Sequence, residues 1–199
     1  MNEEHVHELL YQALETELGG VQIYATSVEC AVNEDAREEW TKYGEETSRH
    51  VEIVQEIFAK IGLDPSVETP GRAVVRHMGE SLVAAMRMAL ESGPPEAAEL
   101  VAAECIVMAE TKDHQNWELI GRLIEDGKLS KKYKDALQPA YEEVESQEDE
   151  HLYHTMGWSR ELWIGWLGMP AVLPPPKEVK HVETAIGAAR AEQQRKEML

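Results

Sequence analysis

The chain has 199 residues, 43% of them hydrophobic, and its 38 acidic against 19 basic side chains give a formal charge of −19 at pH 7. That balance excludes nucleic acid and anionic membrane as main partners, and no apolar run approaches the ~18 residues needed to cross a bilayer. The length suits one domain with a sizeable core, and a single Phe, with no period-two alternation anywhere, points to an all-α fold.

The first helix is expected from about Glu3 to about Asn33, with Gly19-Gly20 inside it. Two interior glycines cost stability, so a close neighbouring helix or room beside a ligand is one reading and simple tolerance the other. A short turn at Asn33-Glu34-Asp35 makes the second helix its antiparallel neighbour, and Gly62-Leu63-Asp64-Pro65 ends it. The segment from Pro65 to Pro95 contains its own helix, about Arg72 to Glu91, with Val75, Met78, Leu82, Met86 and Leu90 stepping by three and four. A connection of this length lets the next helix run parallel to the second. That third bundle helix follows Gly93-Pro94-Pro95 and ends near Gly127. The fourth starts after Ser130, a candidate N-cap, and reaches about Trp166. Residues 1–168 are thus read as the bundle and 169–199 as a Pro-rich linker (Pro170, Pro174-Pro175-Pro176) with a charged terminal helix.

Four apolar seams are interrupted by ionisable residues. The first reads Leu10, Leu14, Glu17, Val21, Tyr24, Val28 and Ala31, and the second Tyr43, Glu46, His50, Ile53, Ile57 and Ile61. The third reads Ala103, Val107, Glu110, His114, Trp117, Gly121 and Ile124. The fourth reads Leu137, Tyr141, Val144, Glu148, His151, Thr155, Trp158 and Leu162. Steps of three and four put each set on one helix face, where a carboxylate is costly unless paired, protonated or bound to metal. Four Glu and three His near the middle of four seams read as one buried metal site; the competing reading is a charged network without metal. The halves also echo one another. Glu17 precedes Tyr24 by seven residues as Glu110 precedes Trp117, and a Glu-His pair follows each, Glu46/His50 and Glu148/His151.

Glu17 with Tyr24, Glu46 with His50, Glu110, and Glu148-Asp149-Glu150-His151 resemble the ferritin-like superfamily of di-iron and di-manganese carboxylate proteins, including rubrerythrins and bacterioferritins. The resemblance spans about residues 5 to 165, without the inserted helix or the tail. It implies a ferritin-like four-helix bundle with an additional crossover helix. Glu46 and Glu148 would bridge two ions, Glu17 and Glu110 would be terminal ligands, His50 and His151 would each give an imidazole, and Tyr24, the candidate catalytic residue, would hydrogen-bond beside the site and could donate electrons or protons. Two features depart from the family pattern. Glu46/His50 is one residue longer than Glu-x-x-His, which a π-bulge would realign. His114, four residues after Glu110, has no counterpart on the first helix and reads as a third imidazole ligand, an acid/base group beside the ions, or a satisfied core histidine.

Carboxylates with imidazoles suit two iron ions, or manganese. The expected function is a di-iron oxidoreductase acting on O2, H2O2 or Fe(II), fed by an electron-donor protein. A di-manganese catalase, a di-iron oxygenase and a non-catalytic interaction module are the rivals. Cys30 and Cys105 form no C-x-x-C motif and the opening MNEEHVHELL is polar, which points to a reduced, cytoplasmic setting. Trp158, Trp163 and Trp166 suggest a homodimer or larger homo-oligomer contact.

Overall fold

The computed structural model describes residues 2–170; most of the expected linker and the terminal helix, 171–199, lie outside the described residues. Five helices pack together, and no strand occurs among the described residues. They are α1 (Glu3–Cys30), α2 (Glu34–Ile61), α3 (Pro70–Ser92), α4 (Pro95–Glu125) and α5 (Lys131–Trp166). No helix among them is long and apolar enough to cross a membrane.

The boundaries follow local chemistry. Asn2, Asn33 and Thr69 cap α1, α2 and α3 by accepting backbone N–H groups that have no partner within the helix. Pro70 and Pro95 open α3 and α4, where a missing N–H costs nothing. Gly62 closes α2 in the left-handed conformation, at φ 75°. Ser130 occupies the N-cap position of α5 but makes no capping hydrogen bond with its side chain.

Helices α1, α2, α5 and α4 form a closed ring in which each packs on two others, and α3 lies outside it against α1 and α4. Side-chain contacts fix the directions. Tyr24 meets Glu110 while Glu17 meets Trp117, and Lys42 meets Glu150 while Arg49 meets Glu143. Both neighbouring pairs, α1/α4 and α2/α5, therefore run antiparallel. The glycine pair of α1 is explained by close approach on two sides. A Cβ on Gly79 would stand 3.6 Å from Gly19 Cα, and one on Gly20 would come 2.9 Å from Thr47 Cγ2.

The interior has three levels. One apolar cluster gathers Leu10, Leu14, Ile53, Ile57, Phe58, Trp117, Ile120, Leu137 and Val144. A second gathers Ile23, Tyr24, Trp40, Tyr43, Met86, Ile106 and Trp158. Between them the buried layer is polar: Glu17, His50, Glu110, Asp113, Glu148 and His151. Trp158 belongs to this core, being 2% exposed, whereas Trp163 and Trp166 are stacked on one another at the surface. Only these last two are available for the contact between copies expected of the three tryptophans.

Candidate metal centre

Each wall of the polar layer comes from one helix. Glu17 on α1 and Glu110 on α4 are held by aromatic residues of the opposite helix, seven positions along. Trp117 Nε1 donates to Glu17 Oε1 at 2.8 Å, and the Tyr24 hydroxyl donates to Glu110 Oε1 at 2.8 Å. The echo read in the sequence is thus a reciprocal pair of hydrogen bonds about an approximate twofold axis.

The imidazoles obey the same symmetry. His50 Nδ1 lies 3.0 Å from Glu148 Oε1 and 3.5 Å from Glu17 Oε2. His151 Nδ1 lies 3.9 Å from both Glu110 Oε2 and Glu148 Oε1. The outer nitrogens are tied back across the α2/α5 interface: His50 Nε2 contacts Gln147 Oε1 at 2.7 Å, and His151 Nε2 contacts Glu46 Oε2 at 3.0 Å. In both cases the residue four before one histidine holds the other, so Glu46 corresponds to Gln147. Thr47, buried three before His50, corresponds to Glu148. No π-bulge is involved, since α2 is a continuous α-helix from Glu34 to Ile61.

Two triads can each direct one ligand atom at a common point: Glu17, His50 and Glu148, and Glu110, Glu148 and His151. Within each, the three atoms lie within 4.8 Å of one another, about twice a metal–oxygen bond of ~2.1 Å. Glu148 is common to both. The sequence-expected residues brought together are therefore Glu17, His50, Glu110, Glu148 and His151. Glu46, with a side chain 20% exposed, lies outside both triads on the outer edge of His151, with Lys42 Nζ 3.5 Å from its other oxygen. His114 also lies outside, its Nδ1 3.2 Å from Asp149 and its side chain 16% exposed. Tyr24 is buried with its hydroxyl on Glu110.

Asp113 was not legible as a site residue. It is 4% exposed and faces the layer where the twofold relation puts Gly20 on α1. The signal was the step of three from Glu110 followed by four to Trp117; the step of four to His114 fits the same seam almost as well. Beside Asp113, Lys112 contacts Asn116, whose Nδ2 donates to Thr16 Oγ1 at 3.0 Å.

Six buried atoms in the layer have no hydrogen-bond partner: Glu17 Oε2, His50 Nδ1, Glu110 Oε2, Asp113 Oδ1, Glu148 Oε2 and His151 Nδ1. Native interiors leave few such atoms, and here they are concentrated in one place, with His50 Nδ1 in ion-pair reach of Glu148 Oε1. Burial, then Glu148, pushes the Glu110 carboxyl well above the usual range; burial, then Asp113, does the same to Glu148, and burial, then Glu17, to Asp113. Burial opposes the charge of His50, but Glu148 and Glu17 override it and push its pKa up to about 12, while burial pulls His151 down. Burial and mutual repulsion thus favour the neutral forms of Glu110, Asp113 and Glu148. Four carboxylates and two neutral imidazoles match the charge and donor preference of two divalent ions, so the residues fit a dinuclear metal site.

A second buried carboxylate lies nearby. Burial would raise Glu39, but hydrogen bonds from His154 and Tyr43, the charge of His154 and a hydrogen bond from Trp158 hold its pKa at about 2. A depressed carboxyl contributes stability that is present above its unfolded value of 4.5 and is lost as pH falls through about 2. Urea unfolding should therefore find the stability gap between wild type and Glu39→Gln narrowing by about 3 kcal/mol between pH 4.5 and 2. A gap independent of pH over that range would remove the charge from the account of Glu39.

Comparison with protein-family models, curated proteins and solved structures finds no match to this chain. Its function is accordingly read from the site.

Proposed function

We propose that the chain is a dinuclear metal–carboxylate oxidoreductase, with an iron pair the leading occupant and O2, H2O2 or Fe(II) the substrate. The observation that carries this reading is the pair of buried triads sharing Glu148, surrounded by polar atoms that lack partners. The helical ring with its external crossover helix is compatible with the ferritin-like bundle that the sequence resembles. Glu17, His50 and Glu148, with Asp113 beside them, would hold one ion, and Glu110, Glu148 and His151 the other.

An iron pair supplies, when bound, two electrons for reducing dioxygen or peroxide. The chain's own residues set its surroundings. Glu46 and Gln147 hold the outer nitrogens of the histidines and aim Nδ1 inward, as outer hydrogen-bond partners of metal-binding imidazoles do. Trp117 and Tyr24 fix the carboxylates of Glu17 and Glu110 by donating to one oxygen and leaving the other toward the site. The apolar levels above and below keep bulk water from the layer. A manganese pair fits the same donors. The exposed Trp163, Trp166, Leu167 and Met169 at the end of α5 support self-association, and a separate protein would supply reducing equivalents. The two free, buried cysteines are in keeping with a reducing compartment.

Protein purified without chelator is expected to carry about two iron or manganese ions per chain by elemental mass spectrometry. Absence of metal after anaerobic Fe(II) addition would overturn the reading in favour of a non-catalytic helical module. Rapid peroxide turnover without reductant would assign the chain to the catalase branch of the proposal.

A further inference from the structure

A buried tyrosine next to the two triads takes no part in them. Tyr43 is fully buried, and its ring lies against the His151 imidazole with centroids 4.3 Å apart and planes inclined at 40°. Its hydroxyl is turned toward a different cluster. It donates to Glu39 Oε1 at 2.7 Å and stands 3.0 Å from His154 Nδ1, which is itself 3.0 Å from the same Glu39 oxygen. With Nδ1–H donating to Glu39, both neighbours converge on one carboxylate oxygen. Removing the Glu39 carboxylate from water costs several kcal/mol, and Phe at position 43 would fill the same volume. Packing alone does not account for the group.

Electrostatics narrow what the phenol can do. The phenol is buried and its hydroxyl already donates to the Glu39 carboxylate, so Glu39 is the acceptor its proton meets. Tyr43 gives up an electron only if its proton leaves with it, and an ionised acceptor stands 2.7 Å away. Tyr24 differs in this respect. Its hydroxyl donates to Glu110, so losing that proton would protonate a residue of the triads.

The geometry points to Tyr43 as an oxidisable tyrosine that passes one electron toward the metal centre through the His151 ring while its hydroxyl proton moves to Glu39. The inference rests on the dinuclear reading and deepens it by naming a protein electron donor. Peroxide serves as the oxidant and takes two electrons and two protons to give two waters. Where a bound metal would supply only one of these two electrons, Tyr43 supplies the other. Its O–H bond breaks, the proton passes to Glu39 Oε1, and a neutral tyrosyl radical remains. The two protons consumed come from solvent, and the proton of the phenol stays on Glu39. An external reductant then restores the phenol.

The test is electron paramagnetic resonance on protein loaded anaerobically with one Fe(II) per chain, assayed for iron, mixed with hydrogen peroxide and frozen rapidly. Growth on ring-deuterated tyrosine identifies the signal as tyrosyl. Wild type and Tyr24→Phe should give the radical, and Tyr43→Phe should lose it at unchanged iron content. Glu39→Gln, which keeps an acceptor oxygen but is no base, should diminish it; this variant decides the matter if Tyr43→Phe fails to fold or to bind iron. Iron-loaded wild type without a radical, or an undiminished signal in Tyr43→Phe or in Glu39→Gln, would overturn the assignment. Wild type that takes up no iron overturns the dinuclear reading itself, and the radical proposal with it.

Discussion

Glu148→Ala protein is expected to bind neither metal ion, whereas Glu46→Ala protein should keep both at affinity weakened roughly 10–100-fold. The two carboxylates occupy equivalent places in the sequence reading, since each precedes a histidine on a core seam. Their surroundings separate them. Glu148 is 1% exposed, belongs to both triads and has one oxygen without a partner. Glu46 already spends one oxygen on His151 Nε2 and the other on Lys42, so its removal loosens the aim of an imidazole but deletes no member of either triad. Metal content by elemental mass spectrometry, followed by a competition titration for affinity, separates the two. Full occupancy in Glu148→Ala would remove the shared ligand from the proposal. Loss of both ions in Glu46→Ala would return Glu46 to the bridging role expected from the sequence.

The second large effect is on stability. Glu15→Ala should lower the unfolding free energy by about 3–5 kcal/mol, because it strands a buried guanidinium. Arg72 is 6% exposed and donates from Nε to Glu15 Oε2 at 2.6 Å; its Nη1 reaches the carbonyls of Pro65 and Val67. Those carbonyls satisfy hydrogen bonds but do not neutralise the charge. Arg76 also binds Glu15, at 2.7 Å, yet its side chain is 37% exposed, and Arg76→Ala should cost at most about 1 kcal/mol. Urea denaturation of the two variants measures the contrast. Equal small losses would mean that solvent reaches Arg72 in the unmutated protein.

The sequence was legible where burial is periodic. The five helices, their stops at Gly62 and before Pro95, and five members of the polar layer follow from seams stepping by three and four. What could not be read was which of two adjacent steps a helix uses. At 3.6 residues per turn, positions i+3 and i+4 straddle the same line, so Asp113 and His114 are nearly equivalent on paper, as are Thr47 and Glu46 before His50. Packing decides between them. Trp117 and Tyr24 reach across to Glu17 and Glu110 and set the rotation of α1 and α4, which brings Asp113 inward and leaves His114 against Asp149. Contact of Thr47 with Gly20 sets the rotation of α2 in the same way. The glycine pair on α1, ambiguous in the sequence, proves to be a double crossing point.

Helix α3 has a consequence for how the chain finds this arrangement. The hairpins α1–α2 and α4–α5 close over turns of a few residues and are local, but α2 and α4 point the same way, so the chain must travel the length of the bundle between them. A flexible connection would sample a large volume before the hairpins met. The 23 residues of α3 are instead a rod of about 35 Å, laid along α1 by the Gly19–Gly79 approach. Such a spacer lowers the loop-closure entropy of joining the hairpins and limits how far they can slide on one another. Sliding by one turn would part Tyr24 from Glu110 and Trp117 from Glu17 together, so the rod acts as a ruler for the polar layer without contributing a side chain to it.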